Sequence, residues 1–358
     1  MKIAYWAHVN YPVGSGIINK LILQINYWKE MGHHSHLFLL TRRRDIAKAI
    51  QENITCFYYH KNSWFDRLKT IREIENTLHR NRPDLIYIRQ DLFYPVISRL
   101  GRKYPIVVEV NSDMGAELWT YSKLQWLYYY LSRPIYWKAT SGAVFVTYEL
   151  KERHKHFLNG KKTAVISNGI DLESFSVLPP PPIGSRPTFV FIGHPRMPWH
   201  GIDKIVRLSR LWPEGLFHII GPTKEEIPDA PSNMIFHGFL MKEAYIKILA
   251  QSHIAISTLA LHRKSMEEAC PIKSREYLAY GLPVIAAYKD TDFTDKSGFL
   301  LRLPNKERNV EESFEHIKQF YSNWNGKRVP RQNVIVISAS EKEKSRISYF
   351  QTIVKQRE

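Results

Sequence analysis

Short apolar runs alternate with amphipathic stretches along the first half of the chain. Residues 3–7 read as a strand. The turn Tyr11-Pro12-Val13-Gly14-Ser15-Gly16 then leads into a helix whose Ile17, Ile18, Leu21, Ile22 and Ile25 share one face. Gly32 stops that helix, and a strand returns at 36–40. The beat repeats, with strands at 54–59, 85–88, 106–110, 143–146 and 164–166 and helices near 64–78, 94–100 and 148–157. Strands alternating with helices predict an α/β fold, a parallel sheet covered on both faces. Pro179-Pro180-Pro181-Pro182 interrupts the pattern, because four prolines fit neither helix nor sheet and form a stiff connector. The alternation then restarts, with strands at 189–192, 217–220, 234–236, 254–257 and 284–287 and helices at 202–211, 242–250 and 272–280. An amphipathic helix carrying Ile347, Phe350 and Ile353 ends the chain. The reading is therefore two nucleotide-fold-like domains, 1–178 and 179–340, and a helix at 341–358 that packs back on the first. A cleft between them, outside the carboxyl ends of the strands, is the expected ligand site.

Composition narrows the class. The 358 residues are 44% hydrophobic and 24% charged, which excludes a disordered or collagen-like chain. Lys or Arg interrupts every long apolar run, so no stretch reaches the roughly 18 residues a spanning helix needs. The opening Met-Lys-Ile-Ala-Tyr-Trp-Ala is too short and too polar afterwards for a secretory signal. Cys56 and Cys270 are too few for a disulfide framework, so a reducing cytoplasm is the expected setting. The net charge of +17 is spread over both halves and calls for nucleic acid, anionic lipid or phosphorylated ligands. No zinc-finger spacing, RNA-binding aromatic signature or arginine-rich arm supports nucleic acid. Arg42-Arg43-Arg44 reads as a solvated loop. Residues 121–138 are the densest aromatic and basic segment. They read as a core-packing helix, or else as one lying in an anionic membrane interface at the inner face.

Candidate chemistry falls in three places. Gly14-Ser15-Gly16 sits between strand and helix, where glycines admit a ligand and helix-start amides hold phosphate; a tight turn explains it equally well. Glu268 and Glu276 flank seven residues around Pro271, a natural first-turn residue. That spacing puts one carboxylate before the helix and one on its first turns. The free amides around the stretch Ala269, Cys270, Pro271 and Ile272, with Lys273 beside them, then face an anion. Acidic residues stabilised by the helix dipole are the bland alternative. Glu109, Asn111 and Asp113 end a strand on the ligand side and are candidate acceptor contacts, or an ordinary helix cap. Asp290-Thr291-Asp292 looks like a metal-binding pair but reads as a solvated turn.

From Glu268 to Ala286 the chain resembles the family-four glycosyltransferases of the GT-B fold, through an E-x7-E spacing followed by E-Y-x-A-x-G-x-P-V-I. Phe191-Ile192-Gly193 through Gly201-Ile202-Asp203 resembles their donor loop, and Ile166-Ser167-Asn168-Gly169-Ile170-Asp171 their N-G-I-D stretch. The resemblance implies two Rossmann-like domains and metal-free, cofactor-free transfer with retention from a UDP- or GDP-sugar. The acceptor would be a saccharide or lipid-linked molecule of surface-polysaccharide assembly. It implies that Glu276 holds the ribose and Glu268 a sugar hydroxyl. Gly193 begins the donor loop, but His194 and His200 stand where the family places its Arg and Lys. Arg196 and Lys273 are then the expected diphosphate cations, because a permanent charge serves a departing diphosphate better than an imidazole. The competing readings are a non-catalytic nucleotide-sugar-binding protein and a GT-B-type UDP-sugar epimerase.

Overall fold

The computed structural model describes residues 1–12, 14–46, 52–60 and 63–357; Val13 of the first turn lies outside them. The chain divides into two compact units, Met1–Ser167 with Ala339–Glu358, and Asn168–Ser338.

The first unit runs β1 (Lys2–His8), α1 (Gly16–Glu30), β2 (His34–Thr41), β3 (Ile54–Tyr58), α2 (Trp64–Asn81), β4 (Leu85–Arg89), α3 (Pro95–Lys103) and β5 (Ile106–Val110). It continues with α4 (Met114–Tyr121), α5 (Lys123–Lys138), β6 (Gly142–Phe145), α6 (Tyr148–Leu158) and β7 (Thr163–Val165). Its seven strands are all parallel, in the order β3-β2-β1-β4-β5-β6-β7. The order reverses beside β1, the switch point at which such sheets bind ligands. Strand β5 reads Ile-Val-Val-Glu-Val with every residue buried, as expected of a strand covered on both faces. Only Glu109 breaks the apolar run.

The second unit runs β8 (Thr188–Ile192), α7 (Ile202–Leu211), β9 (Leu216–Ile220), β10 (Met234–Phe236), α8 (Lys242–Gln251), β11 (Ile254–Ile256), β12 (Glu268–Ala269) and α9 (Ile272–Ala279). It continues with β13 (Val284–Ala286), β14 (Lys289–Asp290), β15 (Leu300–Arg302), α10 (Asn309–Glu312) and α11 (Phe314–Trp324). Its six-stranded parallel sheet has the order β10-β9-β8-β11-β13-β15, and β12 pairs with β14 beside it. The last helix, α12 (Ala339–Val354), belongs to the first unit. There Ile347, Phe350 and Ile353 enter the core around Trp28 and Tyr87.

Two features differ from the sequence reading. The division falls at Ser167/Asn168, not at the proline run. Residues 168–178 join the second unit through Ile170 bridged to Ser338, Asn168 bonded to Cys270 and Arg275, and Arg331 bonded to the Phe175 carbonyl. Helices α10 and α11 and strand β15 went unread, although α11 is amphipathic and 11 residues long.

Candidate functional site

In the second unit the carboxyl ends of β8 and β9 meet the start of α9. Three contacts fix that helix. The Tyr277 hydroxyl accepts the Ile192 amide at 2.6 Å, tying α9 to the end of β8. The hydroxyls of Ser274, Ser257 and Tyr288 form a closed buried triangle of 2.6–3.0 Å sides. Arg275, wholly buried, donates to Asp290 at 2.6 and 2.9 Å, to Asp292 at 2.8 Å and to the Asn168 carbonyl at 3.1 Å. The Asp290-Thr291-Asp292 stretch is therefore no solvated turn. Both carboxylates are buried and taken up by Arg275, and no metal-holding cluster occurs among the described residues.

Pro271 caps α9 from outside rather than standing in its first turn. It carries no amide proton, so it shapes the anion cradle without donating to it. Ser274 and Arg275 already donate to the Pro271 carbonyl, which leaves the amides of Ile272 and Lys273 as the first-turn donors. Cys270 is buried. Its thiol accepts the Asn168 amide and its carbonyl the Asn168 side chain, so it anchors the N-G-I-D stretch. Glu268 and Ala269 form β12, in register with Lys289 and Asp290, so Glu268 stands on a strand and not in a loop. Glu276 projects from the second turn of α9, partly buried. Burial raises its carboxyl pKa, against the lowering effect of Tyr245, whose hydroxyl donates to Oε1 at 2.6 Å, and of Lys242.

Lys273 is the distinctive group. Its ammonium is shielded from solvent, lies 4.2 Å over the Phe191 ring and has no hydrogen-bond partner among the described residues. Burial lowers its pKa to about 7. His200 stacks edge-on to the same ring at 5.6 Å. Its Nδ1 lies 3.2 Å from the His194 carbonyl, which can only accept, so Nδ1 carries the proton. Burial and the nearby Lys273 push the His200 pKa well down, so the imidazole is neutral. His194 is exposed, with Nδ1 turned to the Pro195 carbonyl at 2.7 Å. Of the two expected cations only Lys273 is enclosed. Arg196 sits at φ +60° with its side chain 88% exposed, 3.7 Å from Glu226. Gly193 is needed where it stands, since a Cβ there would come within 2.5 Å of the Phe191 ring and 2.9 Å of His200.

In the first unit the Gly14-Ser15-Gly16 turn caps α1. The Ser15 hydroxyl accepts the Ile18 amide at 3.4 Å and Gly14 holds φ +81°. Glu109, read as an acceptor contact, is completely buried. It accepts from Lys20 and the Tyr5 hydroxyl, both at 2.8 Å, with Arg346 at 3.7 Å and Arg89 at 3.8 Å. Burial alone would raise its pKa; Lys20, then Arg346 and Arg89, outweigh that and hold the carboxyl well below the usual range. It is a structural charge hub, closed to a substrate. Asp113 caps α4 through the Ala116 amide at 3.0 Å and pairs with Arg153 at 2.9 Å. Asn111 alone of the three keeps a buried donor without a partner, its Nδ2, while Oδ1 accepts from Lys20 at 2.8 Å. Tyr245, Lys20 and the Arg275 clamp carried no sequence signal, because their partners lie between 15 and 107 residues away.

Comparison with known proteins places this architecture. Residues 21–174 match the model of Glycosyltransferase Family 4. The sucrose-phosphate synthase from Thermosynechococcus elongatus superposes at a TM-score of 0.75 with 12% identity, over 99% of this chain and 100% of that one. The lipopolysaccharide outer core galactosyltransferase WaaB, in its apo form, superposes at 0.66 with 13% identity over 100% of each. Anabaena Alr3699/HepE in complex with UDP and glucose superposes at 0.67 with 13% identity, over 98% and 100%. No curated protein sequence is significantly similar to this chain. The chain shares the two-unit, parallel-sheet α/β architecture of these structures, the GT-B fold. The match to the Glycosyltransferase Family 4 model falls almost entirely within the first unit.

Proposed function

We propose that the chain transfers a sugar, with retention, from a UDP- or GDP-linked donor to a saccharide or lipid-linked acceptor in surface-polysaccharide biosynthesis, in the cytoplasm at the inner face of a membrane. The observation that carries this is the shielded, unpartnered Lys273 ammonium at the start of α9, with the Glu276 carboxylate one turn further on. An enclosed cation without a counterion awaits an anion. The diphosphate would lie against Lys273 and the Ile272 and Lys273 amides, with Glu276 on the ribose and Glu268 on a sugar hydroxyl. In the transfer the bond from the anomeric carbon to the phosphate oxygen breaks as that from carbon to acceptor oxygen forms on the same face. The acceptor proton passes to the departing phosphate. Lys273 and the amides hold the charge that develops there, and the proposal calls on no metal.

Nucleotide release on incubation with UDP- and GDP-sugars and candidate acceptors tests the reading. Conversion of the donor into an epimeric nucleotide sugar, with no net nucleotide release, would favour the epimerase. Tight UDP binding with no turnover would favour the non-catalytic binder. Lys273→Ala and Glu276→Ala are each expected to lower turnover at least tenfold while the fold survives; full activity in both would overturn the assignment.

A further inference from the structure

Helix α5 is apolar on two faces. Tyr129, Ser132, Tyr136 and Trp137 are buried and fasten it to the first unit. On the outer face, Leu124, Leu127, Leu131 and Ile135 recur at spacings of three and four, a continuous stripe along the helix. Leu124 is 83% exposed, Leu131 66% and Ile135 53%. Single exposed leucines are ordinary; an aligned stripe of four is a docking surface. Trp64, at the start of α2, lies edge-on to Tyr128 of α5 at 6.1 Å, and its neighbour Phe65 is 85% exposed. Beside the stripe, the Trp126 ring packs on Trp119 at 4.8 Å and on Tyr130 at 5.6 Å, with the Lys123 ammonium over Trp119.

The charge along α5 itself has one sign. Between Glu117 and Glu149 the sequence holds no acidic residue, but it holds Lys123, Arg133 and Lys138. At the carboxyl end of α5, a groove of about 550 Å³ runs between the ends of α3, α5 and α12. Its charged lining residues are Arg102, Lys138 and Arg357, with Ile135 at the edge, and no carboxylate of the described residues lines it. Arg357 donates to the Gly101 and Arg102 carbonyls, while Arg102 and Lys138 make no ion pair among the described residues.

The geometry points to an anionic phospholipid surface as the occupant. Leu124, Leu127, Leu131 and Ile135 enter the acyl boundary, the aromatic rings lie at headgroup level, and the Arg102–Lys138–Arg357 groove takes a lipid phosphate. No helix of the described residues is long and apolar enough to cross a membrane, so the contact is interfacial. A second copy fits this face poorly, because a two-fold contact would set one basic rim against another. The inference rests on the lipid-linked branch of the reading above. Its test is independent of the transfer chemistry.

The test is co-sedimentation of the full chain with vesicles of phosphatidylcholine alone or with added phosphatidylglycerol. Binding is expected to the anionic vesicles only and to weaken as salt rises. The double variant L131S/I135S should lower the partition coefficient about tenfold or more, and R102E/K138E should abolish the preference for phosphatidylglycerol. Both variants should keep the wild-type melting temperature and the wild-type thermal shift with UDP. No binding to anionic vesicles at low salt would overturn the inference. So would equal partition of L131S/I135S and wild type, or a soluble dimer that L131S/I135S converts to monomer. Absence of a UDP shift in all three proteins would instead count against the donor site.

Discussion

In the proposed reaction Lys273 acts through its protonation, at the scale of a single residue. Its folded pKa of about 7 lies below the ordinary lysine value of 10.5, so between those values the unfolded chain binds the extra proton. Stability therefore rises with pH across that window, and the penalty for holding the charge is complete below pH 7. Lys273→Met should remove the penalty and raise the melting temperature by a few degrees at pH 6.5, checked by calorimetry. A diphosphate needs the charged amine. Calorimetric affinity for UDP should hold near pH 7 and fall by up to about tenfold per unit above it, and the K273M variant should lose that pH dependence with most of the affinity. Glu109 shows the opposite balance, a carboxylate kept ionised by Lys20, Arg346 and Arg89. Glu109→Ala leaves those cations uncompensated and should destabilise the first unit by about 3–5 kcal/mol in urea unfolding. Both residues were visible as candidates in the sequence. Their burial, which separates an anion-seeking cation from a closed hub, was not.

Elements set the placement of these groups. Helix α9 is short, and its start is held by the Arg275 clamp rather than by its own apolar face. Arg275→Met would leave Asp290 and Asp292 buried without a counter-charge, so unfolding free energy should fall by about 3 kcal/mol or more, read by thermal melting. Gly221 decides the close approach of β8 and β9. It sits at φ +109°, and a Cβ there would lie 1.7 Å from the Gly193 carbonyl oxygen. Gly221→Ala should displace the donor loop, with loss of both stability and the UDP-induced shift in a thermal assay. Periodicity located α9 and β9 to within a residue or two. It carried no sign of the clamp, because Arg275 reaches its carboxylates through side chains in a loop and a two-residue strand. In α5 the pattern was readable and ambiguous, since a helix apolar on both faces can be buried or lie at an interface.

On the scale of the whole molecule, the last helix completes the first unit. The Trp28 indole donates to Glu343 at 2.7 Å, Arg346 approaches Glu109, and Phe350 lies edge-on to Trp28. Phe350→Ala should cost about 3–5 kcal/mol in denaturant unfolding, and a chain ending before Ala339 should lose cooperative melting of the first unit. The alternating periods and the proline run were enough to predict two parallel α/β domains, and the E-x7-E stretch carried the resemblance on which the proposed function builds. Those are local signals, written in neighbouring residues by the repeat of helix and strand. Which carboxylate is sealed, which lysine is stripped of water and which face of α5 stays bare followed only from folding. Each depends on desolvation and on partners far away along the chain, and neither has a local pattern.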